Sequence, residues 1–172
     1  MAQNQYRVLR YHRVEERRLS RRWRIKAWAP KIIVAATDGS AGSVRASQVA
    51  ANIARAWSSK LLLVTVVRPP EGWWGIGGAP PTATALTKAL DEAQQEALDS
   101  TLDALDLDGV DYETVEELGD PATTIIGFCE QNNADLLVIG RRGAGLIERF
   151  ILGSVADRLV HYAPCPVMVV PS

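Results

Sequence analysis

Residues 134–154 read ADLLVIGRRGAGLIERFILGS. The first six, apolar but for Asp135, are of strand length, and an apolar run without alternation fits a strand buried on both faces. Gly140 then breaks the run, Gly143 follows, and Gly153-Ser154 opens an amphipathic stretch over 154–162. Glycine lets a backbone turn sharply and approach a bound group closely. The start of a helix presents unpaired N–H groups and a partial positive charge, which together favour anions. Ser154 adds a hydroxyl at that point, and Arg141 and Arg142 add guanidinium groups suited to phosphate oxygens. A single glycine here would read as a turn. Three glycines and a serine between a strand and a helix favour a ligand loop.

Two common phosphate loops are excluded. A P-loop needs G-x-x-x-x-G-K-[ST], and no lysine is so placed. The dinucleotide fingerprint belongs after the first strand, where this chain has TDGSAGS (37–43).

Outward from this stretch, strand-like and helix-like segments alternate. Strands are expected at 31–36, 60–67, 110–118, 134–139 and 167–170. The third is acidic and only partly alternating, as an edge strand would be. Helices are expected at 43–58, with Val44, Val49, Ile53, Ala54 and Trp57 on its apolar side, and at 82–105. The stripe of the second helix is Leu86, Leu90, Ala93, Ala97, Leu98, Leu102 and Leu105. Asp120-Pro121 supplies an N-cap acceptor and an N1 proline for a helix to about 132. A fourth helix is expected at 154–162. The pattern predicts an α/β, flavodoxin-like or Rossmann-like fold in three layers: a doubly wound, five-stranded parallel sheet in order 3-2-1-4-5. Ligands bind such sheets beyond the carboxyl ends of the strands where the order reverses, between strands one and four. TDGS and GRRGAG follow those two ends.

The 172 residues suit one domain and an extension. The net charge of -1 divides unevenly. Residues 1–30 hold nine basic and two acidic side chains, a charge of +7; residues 31–172 hold ten and eighteen, a charge of -8. No apolar run reaches the ~18 residues of a membrane helix, and none follows the basic start as a signal peptide requires. Two cysteines make no disulfide framework, so a reducing, cytoplasmic setting is expected.

The spacing G-x2-G-x9-G-[S/T] after the fourth strand, met by Gly140, Gly143, Gly153 and Ser154, resembles the ATP-binding signature of the universal stress protein family. KIIVAATDGSAGS (31–43), GDPATTI (119–125) and APCPVMVV (163–170) are similar to the same family, so the resemblance covers about 31–171. It implies an ATP-binding regulatory module of the stress response, with at most slow ATP hydrolysis. Mg2+ or Mn2+ would accompany the nucleotide. It further implies that Asp38, flanked by Ala36 and Thr37, meets the adenosine end, and that Val66 meets adenine through its backbone. Gly140, Gly143, Gly153, Ser154 and Val155 would hold ribose and phosphates, with Arg141 and Arg142 at variable positions of the motif. A homodimer through the last strand, Val167, Met168, Val169 and Val170, is implied as well.

From the residues alone, an aspartate after a strand also reads as a helix N-cap, a role for which Ser40 competes, and the place of Asp38 at the switch point favours ligand contact. Cys129 reads as core packing. His161 and Cys165 are divided by Pro164 and share no helical face, so no metal site is expected. No histidine is placed to serve a nucleophile. Trp73, Trp74 and Ile76 sit in a Pro/Gly-rich loop and read either as core-edge or dimer packing or as a lid. Residues 1–30 stay open between a basic helix for an anionic surface, a disordered arm and an upstream start codon. The competing functional classes are a nucleotide-independent interaction scaffold and an adenylating or ATP-cleaving enzyme.

Overall fold

The computed structural model describes residues 28–68, 83–141 and 152–171. In chain order the elements are β1 (Ile32–Thr37), α1 (Ala41–Trp57), β2 (Lys60–Val67), α2 (Ala83–Leu102) and β3 (Asp111–Leu118), then α3 (Pro121–Gln131), β4 (Leu136–Gly140), α4 (Ser154–Tyr162) and β5 (Val167–Val170). The five strands form one sheet in the order β3-β2-β1-β4-β5, and every neighbouring pair is parallel. This is the expected doubly wound arrangement. Residues 1–27 of the proposed extension, the loop with Trp73, Trp74 and Ile76, and the middle of the glycine loop with Arg142 and Gly143 lie outside the described residues.

Alternate residues of a strand face opposite sides of the sheet, and two cores result. Ile33, Ala35, Leu61, Leu63, Leu136 and Val138 pack with the alanines of α1 on one side. Val34, Leu62, Val64, Leu137 and Ile139 pack with α3 and α4 on the other. The central strands are buried on both faces, which is why they read as unbroken apolar runs. At the margin β3 is exposed along most of its length, in keeping with its acidic, half-alternating sequence.

Two helices bury a stripe that overlaps the expected one only in part: Ala54 and Leu98 are buried as expected, and Val49, Ile53, Leu102 and Leu105 pack against the core half-buried. The inner face of α1 is Ser43, Ala46, Ser47, Ala50, Ala51 and Ala54, whereas Trp57 is exposed and Val44, Val49 and Ile53 flank the contact. Small residues win because the helix lies close against β1 and β4. At Gly140 an added Cβ would sit 2.9 Å from the backbone carbonyl of Gly42. Among the described side chains of α2 the buried positions are Gln94, Leu98 and Thr101, while Ala93 is exposed. Polar partners make this feasible: Gln94 Nε2 donates to the Glu117 carbonyl at 2.8 Å, and Thr101 joins a hydroxyl pair described below. The helix ends at Leu102 rather than 105, and Leu105, Leu107 and Val110 continue down the sheet to pack on the first core.

The caps follow the sequence. Asp120 caps α3 by accepting from Thr123 N at 3.1 Å, with Pro121 in the first turn. Ser40, not Asp38, caps α1. At the opposite end of the sheet, the Asp135 carboxylate receives the backbone amides of Lys31 and Ile32 at 2.8 and 3.0 Å.

Candidate functional site

A cavity of about 770 Å3 opens at the carboxyl ends of β1, β2 and β4, walled by α3 and α4. Its size is that of an ordinary small-molecule site. Ala36, Val64, Val66, Ile125, Ile139, Leu152, Val155 and Leu159 make it largely apolar, and Thr37, Asp38, Ser43, Ser154 and Asp157 supply its polar points. The cavity therefore stands where the strand order reverses, between β1 and β4.

Of the residues singled out from sequence, Ala36, Thr37, Asp38, Val66, Gly140, Gly153, Ser154 and Val155 line this one cavity. Arg141 follows Gly140 but is not among the lining residues. Its amide donates to the Val170 carbonyl, its own carbonyl accepts from Gly153 N at 3.0 Å, and its Nε is buried without a hydrogen-bond partner among the described residues. The Arg141–Gly153 bond closes the two ends of the glycine loop on each other. Sequence reasoning missed Ser43, Val64, Pro121, Ile125, Ile139, Leu152, Ala156, Asp157 and Leu159. A signal was present for the last helix: 152, 155, 156 and 159 follow helical spacing and share a face.

The turn that carries Asp38 is braced from several sides. Asp38 Oδ1 accepts from Ser40 N at 3.1 Å, and Asp38 N donates to Ser43 Oγ at 3.3 Å. Gly39 has φ +75, and its amide donates to Thr37 Oγ1 at 3.2 Å. An added Cβ at Gly39 would lie 2.9 Å from Ser100 Oγ and 3.0 Å from Ala97 Cα, so glycine is required there for both conformation and space. Thr65 Oγ1 donates to the Thr37 carbonyl at 2.9 Å. Asp38 thus lies outside the helix cap and lines the cavity.

Across the cavity α4 begins at Gly153, which has extended backbone and no side-chain cap. The first amides of α4 have no carbonyl within the helix to bond, and they belong to the lining residues Ser154, Val155 and Ala156. Beside the cavity, Asp120 binds Thr123, Arg158 (Nη1 to Oδ1, 2.6 Å) and Arg68, tying the ends of β2 and α3 to α4. The Thr123 hydroxyl and amide, then Arg158, hold its carboxyl far below the usual carboxylate range.

Cys129 is buried on α3, and burial, with Cys165 as neighbour, pushes its thiol up to about 12. Cys165 is also raised by burial. Cys165 keeps company with Cys129 rather than with His161, whose Nδ1 lies 2.8 Å from the Asp157 carbonyl. Among the described residues no three His, Cys, Asp or Glu side chains are grouped to hold a metal ion, and no helix is long and apolar enough to cross a membrane.

Residues 30–171 match the model of the universal stress protein family. The chain belongs to that family. A universal stress protein of Methanocaldococcus jannaschii is 37% identical over 147 residues, covering 81% of each chain. Among solved structures, the universal stress protein UspA of Lactobacillus plantarum superposes with a TM-score of 0.68 at 26% identity, covering 81% of this chain and 97% of its own. A universal stress protein in complex with cAMP is similar at TM-score 0.56 and 28% identity, covering 83% of this chain and 98% of its own. One from Archaeoglobus fulgidus in complex with dAMP is similar at TM-score 0.52 and 25% identity, covering 80% and 94%. These universal stress proteins share with this chain a flavodoxin-like sheet, and the last two carry an adenine nucleotide.

Proposed function

We propose that this universal stress protein binds an adenine nucleotide, ATP in particular, and acts as a regulatory module whose state follows occupancy of the site. The observation that carries this reading is the pairing of the braced Asp38 turn with the uncapped start of α4 across one apolar cavity. The apolar wall of Val64, Val66 and Ile139 suits a purine. Asp38 suits the hydroxyl or amino donors of adenosine, and the amides and hydroxyl at Ser154 suit phosphate. Arg141, Arg142 and Gly143 complete the phosphate side in this proposal, and a Mg2+ or Mn2+ ion would travel with the triphosphate. The cAMP and dAMP complexes of similar universal stress proteins support an adenine ligand.

The same proposal has the protein act as a homodimer through Val167, Met168, Val169 and Val170. The strand edge of β5 is supported by exposed apolar neighbours, with Met168 38%, Val160 46% and Tyr162 69% exposed. An open strand edge of that kind calls for a partner.

The test is the nucleotide content of the purified protein, released by denaturation, beside titration with ATP of wild type and Gly153→Val. A branched side chain at 153 would stand at the start of α4, where the phosphates are proposed to sit, so the variant should lose at least tenfold in affinity, on the order of one or two charge-assisted hydrogen bonds. A folded wild type that neither carries nor takes up adenine nucleotide would overturn the reading and leave an interaction scaffold.

A further inference from the structure

We infer that Thr101 on α2, which lines no part of the cavity, is a positioning residue that holds the Asp38 turn in its ligand-ready shape. The inference rests on the nucleotide reading only for its binding assay. Thr101 is fully buried, and its Oγ1 lies 2.7 Å from Thr37 Oγ1 and 2.7 Å from the Ala97 carbonyl.

Thr101 Oγ1 donates to the Ala97 carbonyl, which can only accept, and pairs with Thr37 Oγ1, where either hydroxyl can be the donor. Thr37 Oγ1 also lies 3.2 Å from Ser43 Oγ and accepts from Gly39 N. Ser43 Oγ in turn donates to the Ser40 carbonyl at 2.9 Å and accepts from Asp38 N. One buried hydroxyl on α2 is thereby joined to the hydrogen bonds of the whole turn 37–43.

Ala97 and Ser100 supply the steric half of the same contact by lying under Gly39. The last turns of α2 are therefore the floor of the Asp38 turn. Burial of Thr101 among these groups is hard to explain as packing alone, because a valine of the same shape would fill the space without needing partners.

The test compares Thr101→Val, which keeps the shape and removes the hydroxyl, with Thr101→Ser, which keeps the hydroxyl. Hydrogen exchange at the Asp38 and Gly39 amides of the unliganded protein is the first readout. Thr101→Val should speed exchange at these two amides while the β4 amides keep wild-type protection, and Thr101→Ser should not. Titration with adenosine and with ATP is the second. Thr101→Val should weaken both by the same factor, about tenfold for the loss of one buried hydrogen bond, because the turn serves the adenosine end that the two ligands share. Thr101→Ser should bind as wild type does.

Wild-type exchange at Asp38 and Gly39 in Thr101→Val overturns the inference, as does a serine variant as impaired as the valine. Should wild type bind neither ligand while the valine variant still loosens the turn, the nucleotide reading falls and the role of Thr101 stands.

Discussion

Replacing Gly140 by alanine places a methyl carbon 2.9 Å from the carbonyl carbon and oxygen of Gly42 and 3.0 Å from Ser43 N. All three are backbone atoms in the first turn of α1, so no side chain can swing away. Relief must come from moving α1 off β4 by roughly half an ångström, given an ordinary carbon contact of about 3.5 Å. The backbone at Gly140 does not have positive φ, so the cost is one of space and not of conformation. Overpacking against rigid neighbours costs about 1–3 kcal/mol, and two backbones in contact place this site near the upper figure. Reversible urea unfolding measures it, with a lower midpoint at unchanged slope as the expected outcome. The same displacement carries Ser43 away from Asp38 N, so nucleotide affinity should fall in parallel. An alanine variant within about 0.5 kcal/mol of wild type would refute the reasoning, since exposed and unconstrained positions commonly fall in that range.

Asp120→Asn retains an N-cap acceptor for Thr123 but abolishes the pairing with Arg68 and Arg158. Because the folded carboxyl titrates below its ordinary value of 3.8, its contribution is complete above that value and is lost as pH falls below it toward the depressed one. The wild-type advantage over Asp120→Asn, followed by denaturation between pH 7 and pH 2.5, should therefore be flat at first and shrink below about pH 4; a gap that widens on acidification would contradict it. Cys129, with its thiol near 12, should hold on the order of one thiolate in ten thousand at pH 8. Ellman's reagent should accordingly react first with Cys165 in the native protein and with both cysteines after unfolding, and two equally fast native thiols would refute the burial argument.

The strand order was readable because each central strand is apolar without interruption and each crossover is punctuated by a cap or glycine. Asp120-Pro121 and Gly153-Ser154 mark helix starts that the structure keeps to the residue. The inner faces of α1 and α2 were not readable in the same way. Hydrophobicity points to Val44, Ile53 and Trp57, but closeness of approach selects Ala46, Ala50 and Ala51 beside the expected Ala54, and sequence periodicity carries no distance. Gln94 and Thr101 are buried with hydrogen-bond partners that lie 23 and 64 positions away in the chain, and nothing local announces such partners. Within the site, the polar points stood out as departures from apolar runs, whereas Val64, Ile139 and Leu159 are indistinguishable in sequence from core.

The Asp135 fork on Lys31 and Ile32 stands at the far end of the sheet from the cavity, yet it governs what the cavity looks like. Its carboxylate, together with the bond from its own amide to the Ile32 carbonyl at 2.8 Å, works as a zero mark from which β1 and β4 are both measured. Counted from it, Ala36 comes level with Ile139, so Thr37 and Gly140 finish side by side. A slip of one residue would shift one strand by about 3.3 Å and exchange its two faces. Asp38 would then be out of step with the glycine loop, and the alanine-lined core would meet the wrong side chains. The alignment of the two halves of the site is thus tied, along with the ladder and the two buried faces, to an acid at the opposite pole of the molecule.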